Sequence, residues 1–183
     1  LELVRRIETD TLEPSIPTEG EAITVVSDSR PRPSGLVALL QATLPTGQEK
    51  HHSALRGALE QTIGGAACWP VAVESGAALV FERISDARRA AVALQKSLLP
   101  RGLPLARVAL HVGEGSGEQE RSWEKLLQAA APLVRAAVPG QILVSEAAAS
   151  LLQGSEGATD DLGLHRLERE AEERRIFQVR YPG

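Results

Sequence analysis

An α+β fold, with helices packed on one face of a mainly antiparallel sheet, is what this sequence predicts. Three observations carry the prediction. Short apolar runs bounded by turn residues recur along the chain, stretches of helical periodicity stand between them, and two strand-like runs meet at Glu74-Ser75-Gly76 as the arms of a hairpin. A length of 183 residues, 43% of them hydrophobic, suits one domain with a single core. Aromatic residues make up only 3%, so that core must be packed from Leu, Val, Ile and Ala.

Residues 1–20, charged and then rich in Pro, Thr and Glu, read as a linker or the tail of a preceding domain, and the folded domain is expected over residues 21–183. "EAITVVSD", ending at Asp28, is a β-branched run suited to a first strand, and "RPRPSG" breaks it. "SGLVALLQATLP" and "HHSALRGALEQTIGG" follow as two helices, the second stopped by Gly64-Gly65. "AACWPVAVE" and "GAALVFE" form the hairpin, with Pro70 marking an edge or a bulge. Ser85 or Asp86 can cap the next helix, whose Ala90, Leu94 and Leu98 fall on one stripe. "LARVALHVGEG" is a strand, and the helix "WEKLLQAAAPLVRAAV" after it should kink at Pro132. "GQILVSEAAASLLQG" gives a strand and a short helix capped by Ser145, and two strands around a charged turn close the chain. That order matches a ferredoxin-like core.

Composition narrows the function. A formal charge of −4, a pI near 5.6 and few aromatics argue against nucleic-acid binding, which needs a clustered basic face and stacking surfaces. The lone Cys68, among Ala66, Ala67 and Trp69, reads as a packed structural thiol, and no zinc-ligand spacing occurs. There is no apolar run long enough for a membrane span and no signal peptide, so a module of a larger cytoplasmic protein is expected. His51-His52 read as a helix start, since neighbours on a helix point apart, His165 as a turn residue, and Gly113–Gly117 as a flexible loop without the lysine of a phosphate-binding loop.

Six strings, "VVSDSRPRPSGLVALLQ", "HHSALRGALEQTIGG", "VAVESGAALVF", "ALHVGEG", "GQILVSEAA" and "LGLHRLEREAEERRIFQV", stand in the order of motifs in one family. From about Ile23 to Tyr181 the chain resembles the catalytic domain of class III adenylate and guanylate cyclases, in particular the branch found in multidomain bacterial signalling proteins.

The resemblance implies a site that joins the ribose 3′-oxygen to the α-phosphorus with two divalent ions, held by one carboxylate from the first strand and one from the hairpin tip. It places Asp28 at the first metal position and Ser75 at the second, with Glu74 one position earlier and expected to point elsewhere. The purine-selecting lysine falls near Pro70 or Val71, the ribose-orienting asparagine at Gln128, and the arginine that stabilises the transition state at Pro132. His111 stands where the family also has histidine and reads as a packed, hydrogen-bonded residue.

A catalytically inactive cyclase domain is therefore expected, acting as a dimerisation or regulatory module. Its partners would be a second copy or another cyclase-type domain, joined in the full protein to a kinase or an ATPase. No cofactor is expected, with Mg or Mn only if residual nucleotide binding persists. The alternatives are a non-catalytic sensor of a nucleotide or other small molecule, and a residual cyclase using Asp28 and Glu74.

Overall fold

A computed structural model describes residues 31–117, 120–153, 159–167 and 172–182. Their seven strands are β1 (Ser34–Thr43), β2 (Cys68–Val71), β3 (Ala77–Phe81), β4 (Arg107–Ser116), β5 (Ile142–Ser145), β6 (Thr159–Arg166) and β7 (Glu173–Val179). Four helices join them: α1 (His52–Thr62), α2 (Ile84–Leu98), α3 (Glu120–Ala136) and α4 (Glu146–Leu152). The strands form one sheet in the order β2-β3-β1-β4-β5-β7-β6, antiparallel except where β4 meets β5. This is the expected α+β class with a mainly antiparallel sheet.

The first correction concerns β1. Residues 34–45 were expected to be helical, yet Ser34–Thr43 forms the central strand, paired with β3 on one side and β4 on the other. Both of its faces are covered. Ala38, Leu40 and Ala42 pack toward α1, α2 and α4, whereas Val37 and Leu39 pack toward α3. A strand buried on both faces shows no polar alternation, so its apolar run is indistinguishable by periodicity from a helix. The strand expected over Glu21–Asp28, and the boundary at residue 20, lie outside the described residues.

The second correction follows from the first. Helices cover both faces of the sheet: α1, α2 and α4 bury the larger cluster around Phe81, Leu94 and Leu110. On the opposite face α3 lays Trp123, Leu126 and Ala130 over β1 and β3, and Leu133 and Val134, with Ala137 just past its end, near β5 and β7. Each such leucine contributes about 2 kcal/mol through the apolar area it removes from water.

Local chemistry accounts for most of the ends. Gly64 and Gly65 take positive φ after α1, and Ser145 Oγ accepts the Ala148 N–H at the start of α4. Pro70 sits on β2, one of the two outer strands of the sheet, where a missing backbone donor is tolerated. The start of α2 differs from expectation: its N-cap is the extended Arg83, without a side-chain cap, and Asp86 lies inside the first turn, paired with Arg89. An acidic group there still complements the helix dipole. α3 runs on through Pro132.

Three smaller expectations change. Gly113–Ser116 belong to β4 rather than to a loop, and a Cβ at Gly115 would lie 2.9 Å from the Trp123 ring, so the glycine admits α3 to the sheet. His165 is a residue of β6, opposite Arg174, instead of a turn residue. Glu173–Arg175, expected in the charged turn, open β7.

Candidate functional site

On the α3 side of the sheet, β1 changes character at Gln41. Val37, Leu39 and Gln41 share that face by strand alternation, and Gln41 is flanked in register by the small residues Ala78 and Ala109. The hairpin between β2 and β3 is drawn against this end of β1. Gly76, at φ +82, sits so close that a Cβ would come within 2.1 Å of the Ala42 carbonyl oxygen. From α1, Arg56 Nε donates to the Gly76 carbonyl at 2.8 Å and its guanidinium also donates to the Val73 carbonyl at 3.3 Å.

The third wall comes from α3. Glu124, Leu127, Gln128 and Ala131, spaced as one helical stripe, face the tip residues Ala72–Ser75 across an open cleft of about 430 Å³ with Gln41 beside them. Glu74, Ser75, Glu124 and Gln128 are exposed, whereas Gln41 is only 9% exposed. Gln41 Oε1 is buried and accepts no hydrogen bond. The lining of the cleft thus combines two amide side chains, a hydroxyl and two carboxylates with an apolar patch.

Several residues singled out from the sequence meet here and others do not. Ser75, Glu74 and Gln128 line the cleft together. Glu74 and Ser75 both line the cleft, and residues 74–76 form a bend rather than a strand, so side-chain alternation does not apply to them. Asp28 lies outside the described residues. Pro132 is buried within α3 and is not among the cleft residues, while Pro70 and Val71 line a neighbouring cavity of about 360 Å³ that shares Ala72 and Val73 with the cleft.

His111 lies on β4 away from the cleft, half-buried, with Nδ1 2.9 Å from Ser145 Oγ. Burial first, and the nearby positive charge of Arg174 second, hold its pKa below the ordinary 6.5. His51 and His52 stand at the start of α1, and Cys68 is half-buried against the main core. Sequence reasoning missed Gln41, hidden in a run taken for a helix. The available signal was a single amide inside "LVALLQATL".

Two hard divalent cations take charged oxygens before neutral ones. At the two places where the first described strand and the hairpin tip meet, the cleft presents a carboxamide and a hydroxyl. Among the described residues no three His, Cys, Asp or Glu side chains gather to hold a metal ion. Glu74 and Glu124 are the carboxylates of the cleft, and with Asp28 outside the described residues this set alone does not make a two-metal site.

The sheet order, the helices on its two faces and the hairpin beside β1 are those of class III adenylate and guanylate cyclase catalytic domains, whose fold this chain has. An adenylate/guanylate cyclase/hydrolase from Silicibacter pomeroyi is similar at a TM-score of 0.62 and 20% identity, over 82% of this chain and 98% of that one. An adenylate cyclase of Trypanosoma brucei, solved in its monomeric state, gives 0.64 and 17% over 81% and 90% of the two chains. A non-canonical dimeric guanylyl cyclase domain of the RhoGC fusion protein from Blastocladiella emersonii gives 0.56 and 12% over 79% and 96%. No protein-family model and no curated protein matches the chain. No helix among the described residues is long and apolar enough to cross a membrane.

Proposed function

We propose that this is a catalytically inactive class III cyclase domain that serves as a dimerisation or regulatory module of a multidomain bacterial signalling protein. The observation that carries the reading is the pair of neutral side chains, Gln41 and Ser75, lining one cleft where β1 meets the hairpin tip. Cyclisation requires the ribose 3′-oxygen and the triphosphate to be held by two cations; Ser75, at the second metal position of the resemblance, brings them no charge, Gln41 beside it brings none, and the carboxylates of the cleft are Glu74 and Glu124. Pro132 adds to this, because a buried proline donates nothing to charge developing in a transition state. Losing metal and transition-state contacts together removes turnover by orders of magnitude.

The scaffold persists where the chemistry does not. Pairing would be with a second copy or with another cyclase-type domain; among the neighbours the Blastocladiella emersonii domain is a non-canonical dimer, and the Trypanosoma brucei one was solved as a monomer. A covalently linked kinase or ATPase domain completes the proposal. The test is an assay of cyclic nucleotide formation from ATP and GTP in magnesium and in manganese, beside sedimentation of the same sample. The expected result is no product from a self-associating domain. Product that disappears in Glu74→Ala overturns the inactive reading, and a strictly monomeric chain that also fails to bind an active cyclase domain overturns the pairing.

A further inference from the structure

Beside the cleft, and sharing Ala72 and Val73 with it, lies the cavity of about 360 Å³. Its walls are mostly apolar: Leu59 of α1 and Leu79 of β3, both buried, meet Val71 and Val73, both half-buried. β2 is an outer strand, so no further strand of the described residues flanks the cavity there. Apolar walls open to water favour whatever apolar group can reach them.

The path of the chain says what reaches them. Arg32, just before β1, lines this cavity, and its guanidinium lies 6.0 Å from the centre of the Trp123 ring, a cation–π contact that fixes where the chain enters β1. Residues 27–31 alone separate Arg32 from Val26, and an extended chain of that length spans at most about 20 Å. Ile23, Thr24, Val25 and Val26 form a β-branched, mainly apolar run, flanked by the acidic Glu21 and Asp28. Those flanks match the cavity wall, where Arg32 and Arg56 outnumber Glu60. A tether this short keeps the run at a high effective concentration beside the cavity.

We propose that Ile23–Val26 dock in this cavity within the same chain and brace the hairpin tip. The brace acts on the tip by two routes. Ala72 and Val73 line both the cavity and the cleft, and Arg56, on the cavity wall, donates to the Val73 and Gly76 carbonyls at 3.3 and 2.8 Å. A change in the chain before residue 21 is passed to the tip by drawing the run out or letting it seat. This goes beyond the inactive-module reading and stands whether or not the cleft turns over.

The test is methyl NOE spectroscopy on the 183-residue protein, labelled at its Ile, Leu and Val methyl groups. Cross-peaks are expected from Ile23, Val25 or Val26 to Leu59, Val73 or Leu79, and they persist when labelled protein is diluted with unlabelled copies, as contacts within one chain do. Val25→Asp, which puts a charge where burial is required, should remove them and speed amide exchange of residues 72–76 about tenfold, whereas Val25→Ile keeps both. The parent spectrum decides the docking without any variant. No cross-peak between the run and these side chains, cross-peaks only between differently labelled molecules, or unchanged exchange at the tip in Val25→Asp would each overturn the proposal.

Discussion

Gln41 and Gln95 carry the same side chain into two differently organised regions. At the junction of α2 and β4, Gln95 closes a reciprocal pair with the backbone of Ala106, whose carbonyl also accepts from Gly140 N–H at 2.8 Å. Beside the hairpin tip, Gln41 is nearly as buried and leaves its oxygen unused. The first region is finished as structure. The second lines a cleft and leaves a buried acceptor unspent.

The largest effect expected comes from forcing the two walls apart. Gly76→Ala places a Cβ into the Ala42 carbonyl and a side chain at φ +82, and should cost about 3 kcal/mol or more in urea unfolding. Gln95→Leu comes next, at about 2 kcal/mol, because it strands the buried Ala106 N–H while the carbonyl keeps Gly140.

A smaller effect appears with pH. His111 is held below its ordinary pKa of 6.5 in the folded protein, so the unfolded chain binds its proton more readily. The stability tied to the neutral ring is therefore complete above that ordinary value and is lost as pH falls through it toward the lower folded one. Thermal melts taken down through this range should slope downward, and His111→Gln should flatten the slope. Smallest of all is Gln41→Leu, expected within about 0.5 kcal/mol of the parent or above it, since it deletes an acceptor that bonds to nothing. A loss as large as that of Gln95→Leu would erase the distinction between the two regions.

The sequence exposed this fold wherever turn chemistry punctuates it. The hairpin around Ser75-Gly76, the Ser145 cap and the Gly64-Gly65 stop each have a local cause that can be read without a structure. β1 had none, because burial on both faces erased its alternation and left a run as apolar as a helix. That misreading carried the site with it. Ser75, Glu74 and Gln128 were found through their place in a family pattern, while Gln41 required the pairing of β1 with β3 and β4 before its nearness to the tip could be seen.

The central claim is that Gln41 and Ser75 put neutral side chains where β1 meets the hairpin tip, and that Glu74 and Glu124 in the same cleft do not make up for them. A titration with manganese(II), followed by its paramagnetic resonance signal, tests it on the parent and on the double variant Gln41→Asp, Ser75→Asp. The account predicts no saturable site in the parent and a new one in the double variant. Saturable binding by the parent that vanishes in Glu74→Ala would contradict it.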